Sequence, residues 1–330
     1  MVLMKELFHV GDAIRIMWHG PRLTYNQGVE DTPQVPDVLV TGATGLIGSA
    51  LSRSLQQVGA LVRHAPRTEN EFFWDPSGHE SLDARIAAGV PRVLVHLAAE
   101  PITGLWTAAK KQRIRKSRIE GTRNVARQLA ELPHKPELLI TASGVGAYGS
   151  RGDEVLTDES PIGSGFLAEL AHDWEQATQP ARDAGIRVVN LRIGIVLASN
   201  GGALAQMLPV FRAGLAGRFG AGDQWMSWIA LDDLIHAMLH VMRDRSLAGA
   251  VNAVSPEPVT NREFTETLAR LVHRPAIFTV PAWALRLLPG GMGEEMLLAS
   301  TRAVPAKLLA SGFEFHHPKL QEALGAVLSS

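Results

Sequence analysis

From Asp37 onward the chain alternates short, continuous apolar runs with amphipathic stretches. The runs are VLVTG (38–42), ALV (60–62), RVLVHLAA (92–99), LLITAS (138–143) and RVVNLRIGIVL (187–197). Each leads into a helical stretch or into a loop that precedes one. Strands that are apolar throughout are buried on both faces, which predicts a parallel sheet with helices on either side. The expected class is α/β: a Rossmann-type doubly wound parallel sheet with a smaller, mostly helical carboxyl-terminal substrate part. Between the first two runs, Ile47, Leu51, Leu55 and Val58 fall on one stripe, predicting a helix over 46–58 with Gly59 as its stop.

Beyond Gly201 the period becomes helical, near 203–215, 232–244, 261–273, 282–288 and 318–328, with Asp232 and Asn261 as expected N-caps. AVNAVS (250–255) has strand character and is expected to rejoin the sheet. Residues 1–36 differ: FHVGDAIRIMW suits a short hairpin and NQGVEDTPQVPD a linker. The expected organisation is an arm and linker over 1–36, a nucleotide-binding domain over 37–200 and a substrate part over 201–330.

Composition narrows the chemistry. The 330 residues are 46% hydrophobic and 20% charged, enough to bury a substantial core. Lys plus Arg number 32 against 33 Asp plus Glu, so no global charge draws the protein to nucleic acid or an anionic membrane. With no cysteine, disulfides, thiolate metal sites and cysteine nucleophiles are excluded. No apolar run reaches the ~18 residues of a membrane span, nor does the start resemble a signal peptide, so a cytoplasmic protein with a small-molecule substrate is expected.

The sharpest motif is VLVTGATGLIGSAL, in which Gly42, Gly45 and Gly48 are spaced by three between a buried strand and an amphipathic helix. Glycines there permit a tight turn, approach of backbone to a pyrophosphate and close helix packing, and the helix N-terminus offers N–H groups to the anion. Thr44, Leu46 and Ile47 belong to the same cradle. About 20 residues further on, an NAD site places an acid for the ribose 2′-hydroxyl. Here LVRHAPRTEN sets Arg63 and Arg67 in that window, with no acid before Glu69, so NADP(H) is the expected cofactor. Surface arginines without a ligand are the alternative reading. Leu97, Ala98 and Ala99, closing the RVLVHLAA run, leave room for the adenosine ribose and diphosphate.

TGATGLIG, HLAAEP, TASGVGAYG, LRIGIVL and WIALDDL together resemble the extended short-chain dehydrogenases that include nucleotide-sugar epimerases and dehydratases. WDP (74–76), GLWTAAKKQRIRKSRIEGT (104–122), GFLAELAHDWE (165–175), GDQWMSWIALDDL (222–234) and HRPAIFTVPAWALRLL (273–288) make the chain similar to the atypical YfcH-type epimerase family. The resemblance covers residues 37–328. In the broader family a serine polarises the substrate oxygen, and a tyrosine four residues before a lysine relays the proton. The resemblance puts Ser143 at the serine position. The two tyrosines, Tyr25 and Tyr148, are followed four residues later by Val29 and Gly152, so the Tyr-x-x-x-Lys pair is absent. Phe166 and Leu170 stand near its two positions. Without a positioned acid or base, worth about 10²- to 10⁴-fold, ordinary epimerase chemistry is crippled while nucleotide binding survives. Ser143 and Tyr148 are then the candidate catalytic pair, with Glu169, His172 and Asp173 as further proton carriers. The alternative is an NADP(H)-binding regulatory or scaffold protein.

Other signals carry less. KKQRIRKSR (110–118) has six basic side chains but no interleaved aromatic platform, and reads as a solvated helix end. His236 and His240 are four apart, but Ala237 stands where a zinc-protease motif has glutamate, and no metal is expected. Trp225, Met226 and Trp228 form a candidate substrate wall for a flat or apolar ligand; sealing two parts of the molecule is the competing role.

Overall fold

The computed structural model describes residues 35–329, so the hairpin expected early in the amino-terminal arm lies outside the described residues. Seven parallel strands form the central sheet: β1 (Val38–Thr41), β2 (Val58–Val62), β3 (Glu71–Phe73), β4 (Val93–His96), β5 (Leu138–Gly144), β6 (Arg187–Ile193) and β7 (Gly249–Ala253). Their order is β7-β6-β5-β4-β1-β2-β3. The chain builds outward from β1 in one direction and then reverses, so β1 and β4, paired from Val38 with Val93 to Thr41 with His96, flank the switch point. Ligands of open parallel sheets lie in the crevice beyond the carboxyl ends of such strands.

Each strand feeds both faces, because successive side chains alternate. Val38, Val40, Val95 and Ile140 point into one core with α1 (Leu46–Ser54). Leu39, Leu94 and Leu139 point into the other, with α3 (Gly121–Glu131), which follows α2 (Ala108–Arg115) after a π-helical turn at Lys116–Glu120. Full burial of one such leucine contributes about 1.5–3 kcal/mol, which pins the strand register. Next come α4 (Phe166–Gln176), α5 (Gly202–Arg212), α6 (Leu231–Arg243), α7 (Asn261–Leu271) and α8 (Leu320–Ser329). α6 covers the first core, whereas Leu204 and Leu208 of α5, Phe264 and Leu268 of α7 and Leu324 of α8 close a third.

Several local expectations are corrected. α1 stops at Ser54 because Leu55 is extended (φ −106°, ψ 142°). Val58 and Gly59 belong to β2, and a Cβ on Gly59 would lie 2.5 Å from Leu39 and 2.8 Å from Phe72, so this glycine serves sheet packing and stops no helix. The α6 N-cap is Ala230, leaving Asp232 in the first turn, where its charge faces the positive helix end. α7 is capped by Thr260, in a reciprocal box with Glu263, whereas Asn261 accepts the Phe219 amide at 2.8 Å. The apolar run 187–197 breaks at Gly194, and Ile195–Leu197 pairs in parallel with Trp228–Ala230, apart from the main sheet.

Candidate functional site

At the switch point the three glycines do three different jobs. Gly42 adopts φ 71°, the left-handed region, and a Cβ on it would press 3.0 Å from the Ala98 nitrogen. Gly45 donates its amide back to the Gly42 carbonyl at 3.0 Å, closing the turn. A Cβ on Gly48 would lie 2.2 Å from the Gly42 oxygen, so only glycine lets α1 sit this close behind the loop. The α1 N-cap, Gly45, has no side chain to cap with, and the first turn holds no acid. The amides that open the helix, with Leu46 and Ile47 in its first turn and Thr44 exposed beside them, therefore present an anion cradle.

The neighbouring strand end is locked to this loop. Thr41 Oγ1 accepts the amides of Leu97 and Ala98, each at 3.0 Å, and lies 2.9 Å from His96 Nδ1. With both hydroxyl lone pairs taken, the Thr41 proton goes to Nδ1, which makes His96 a neutral ring protonated at Nε2. Complete burial holds its pKa down at about 4, and its ring meets Trp74 edge-on at 5.4 Å. Leu97 and Ala98 are thus brought against Gly42, with exposed Ala99 next in line. Arg63 directly follows β2, and Arg67 stands four residues on; both are exposed, and neither side chain pairs with a carboxylate among the described residues. The Arg67 amide donates to Glu71 at 2.7 Å.

The reaction end is different, and here the expected roles are corrected. Ser143 is 6% exposed and donates to Glu175 Oε1 at 2.8 Å; Arg192 grips the same carboxylate through Nε and Nη2, both at 2.8 Å. Tyr148 is fully buried, its hydroxyl 2.6 Å from Asn252 Oδ1 and 2.9 Å from the Thr157 carbonyl while accepting from Arg192 at 3.1 Å. Burial pushes the hydroxyl above the usual tyrosine range. Both hydroxyls are therefore spent inside the protein, in a network joining β5, β6, β7 and α4. Strand alternation turns the next residue, Gly144, the other way, and a Cβ there would meet nothing nearer than 3.8 Å. The open side of the strand end carries no hydroxyl.

Phe166 opens α4 with its ring 5.1 Å from that of Trp106, while Leu170 is buried. The Glu295 carboxylate accepts the Phe166 and Leu167 amides at 3.0 and 2.7 Å, capping α4 from far along the chain. Lys111 lies with Nζ 4.4 Å from the centre of the Phe166 ring. The basic run that holds it is largely neutralised: Lys110 and Arg113 reach Glu100 at 2.8 and 3.4 Å, Arg115 reaches Asp173 at 2.6 Å, and Lys116 lies 3.9 Å from Glu120. Arg118, turned inward by the π-helix, donates to the Glu100 carbonyl at 2.8 Å. Lys111 alone in the run has neither a carboxylate nor a carbonyl partner among the described residues. Glu169 and His172 are exposed, and Asp173 is held by Arg115. Sequence reasoning passed over Trp106, Lys111 and Glu295; the aromatic pair and the lysine belong to the quoted GLWTAAKK and GFLAEL stretches, but Glu295 left no local signal.

The tryptophan wall divides. Trp228 is fully buried in the carboxyl-terminal core and donates to the Glu257 carbonyl at 3.0 Å, which corrects its expected place at a substrate. Trp225 is half-buried, lies under Arg302 at 4.1 Å and donates to Asp153 at 2.8 Å, so it ties the two parts of the chain together. Met226 packs on the third core and accepts from Asn261 at 3.4 Å. Among the described residues no helix is long and apolar enough to cross a membrane.

A glycine-turn cradle at the switch point of a parallel sheet defines a dinucleotide-binding class, and comparison with known proteins agrees. Residues 38–253 match the model of the NAD dependent epimerase/dehydratase family, and residues 280–327 match a domain of unknown function, DUF1731. An epimerase family protein of Mycobacterium bovis is 40% identical over 292 residues, covering 87% of this chain and 96% of that protein. The crystal structure of human epimerase family protein SDR39U1 (isoform 2) with NADPH is similar with a TM-score of 0.81 at 30% identity, covering 89% of this chain and 99% of that one. A nucleoside-diphosphate sugar epimerase from Corynebacterium glutamicum gives a TM-score of 0.72 at 36% identity, over 89% of this chain and 59% of that one. The chain belongs to the NAD dependent epimerase/dehydratase family.

Proposed function

We propose that this protein is a cytoplasmic NADP(H)-dependent oxidoreductase of the epimerase family acting on a small carbonyl or hydroxyl compound. The observation that carries the reading is the pairing of an uncapped glycine cradle with two arginines, Arg63 and Arg67, that have no carboxylate partner among the described residues and follow the next strand. Gly42, Thr44, Gly45, Leu46, Ile47 and Gly48 hold the pyrophosphate through backbone amides. Arg63 and Arg67 take the 2′-phosphate, and Leu97, Ala98 and Ala99 border the adenosine ribose. The NADPH named with the human relative supports the same choice of nucleotide.

With NADPH held here, hydride chemistry toward a carbonyl carbon would be available. The chain has to deliver a proton to the oxygen, and the commitments of Ser143 and Tyr148 leave neither hydroxyl free for it. On this reading the Lys111 ammonium, held over Phe166, faces the substrate and carries that proton. The test is NADPH oxidation by the purified protein against a panel of small aldehydes and ketones. Turnover should fall at least 100-fold in Lys111→Met and change less than threefold in Tyr148→Phe, within the range of general-acid effects. Undiminished turnover in Lys111→Met removes the proton assignment.

A second reading is favoured by one observation, the inward commitment of Ser143 to Glu175 and of Tyr148 to Asn252. It makes the protein a holder of NADPH without turnover, acting as a regulator or scaffold. Tight NADPH binding with no oxidation across the panel selects it.

A further inference from the structure

A second cluster of chemistry lies on α6, unrelated to the nucleotide cradle. Asp233, His236 and His316 bring one donor atom each to within 4.8 Å of the others. Asp233 and His236 are three apart on the helix and therefore share a face; His316 comes from the segment just before α8. That segment is fixed by the same carboxylate: Asp233 Oδ1 accepts the His316 amide at 2.7 Å and Oδ2 accepts the His317 amide at 2.9 Å. Each oxygen keeps a further lone pair.

The two imidazole rings face each other with centroids 4.3 Å apart. His236 Nδ1 is buried and has no hydrogen-bond partner among the described residues. A buried ring nitrogen without a partner is unfavourable, and this one stands beside a fully buried carboxylate and a second imidazole. His240, one turn further, plays no part: its Nε2 is 2.8 Å from Ser311 Oγ.

We propose that Asp233, His236 and His316 form a site for a divalent transition metal ion of the zinc type, with water completing the coordination. Two imidazoles and one carboxylate suit zinc and exclude calcium and magnesium, which require all-oxygen shells. Donors at about 2.0–2.2 Å from a tetrahedral ion are about 3.4 Å apart. From a spread of up to 4.8 Å the cluster must therefore contract by up to about 1.4 Å, and the exposed His316 side chain can make that movement. Two ligands come from α6 and the third from the chain leading into α8, so the bound ion clamps the carboxyl-terminal helix to the body of the protein.

The test uses the full chain after treatment with a chelator. Calorimetric titration with zinc chloride should give a site of micromolar or tighter affinity, and cobalt(II) at the same site should show the visible absorption of a low-coordinate N,O ligand set. Zinc should also raise the melting temperature. His316→Gln and His236→Gln should each weaken binding at least tenfold and remove the thermal shift, while His240→Gln leaves both. Because His316 is exposed, its variant keeps the fold, which its unliganded melting temperature verifies. Absence of zinc binding in the wild type, or binding in the two ligand variants as tight as in the wild type, overturns the proposal.

Discussion

The two ends of the crevice use their residues in opposite ways. At the glycine-turn end, residues 42–48 and 97–99 offer backbone amides and close backbone approach, and on the proposed reading these groups stay open to a nucleotide. At the reaction end, Ser143 and Tyr148 act through hydroxyls, and these are consumed by Glu175, Arg192 and Asn252 inside the protein. Backbone geometry enforced by glycines has little alternative employment. Hydroxyls and carboxylates do, and once a buried ion pair recruits them they stabilise the fold and leave the chemistry. A nucleotide site can thus outlast the catalytic set built beside it.

Breaking the inward network should have the largest effect on the fold. Arg192→Met leaves the Glu175 carboxylate buried without its cation, and should cost about 3–5 kcal/mol of stability, read as a fall in the denaturant midpoint. A loss below 1 kcal/mol would place those side chains back in play for substrate. Acid should act next. His96 titrates near 6.5 when unfolded but at about 4 when folded, so below pH 6.5 the unfolded chain binds the extra proton. Stability present above pH 6.5 then declines toward pH 4 by ~3 kcal/mol, and His96→Asn should flatten that part of the curve in a pH series of thermal melts. Smaller again is Gly48→Ala, whose new Cβ meets the Gly42 carbonyl oxygen: about 1–3 kcal/mol of stability, accompanied by at least tenfold weaker nucleotide binding. Normal binding by that variant would dissolve the contrast between the two ends.

The legible parts of this molecule were local ones. Gly42, Gly45 and Gly48 announce their loop within seven residues, and the continuous apolar runs announced the parallel sheet, because both depend on near neighbours along the chain. What escaped depends on distant contacts. Gly59 looked like a helix stop, but its reason is the proximity of Leu39 and Phe72 across the sheet. The side of β5 on which Ser143 falls is decided by a single step of strand alternation, and with it whether the hydroxyl meets Glu175 or the crevice. Glu295 caps α4 across more than 120 residues, and the three donors of the metal cluster include one 80 positions away from the others. No spacing within one stretch reveals such meetings.

The central claim is that the open end grips a phosphorylated dinucleotide through Arg63 and Arg67. Calorimetric titration of the same preparation with NADPH and with NADH tests it most directly. NADPH should bind at least tenfold more tightly, since hydrogen bonds to charged groups are worth about 1.5–3 kcal/mol, and the preference should vanish in Arg63→Ala/Arg67→Ala while the melting temperature stays put. Equal or tighter binding of NADH, or no heat with either nucleotide, contradicts it.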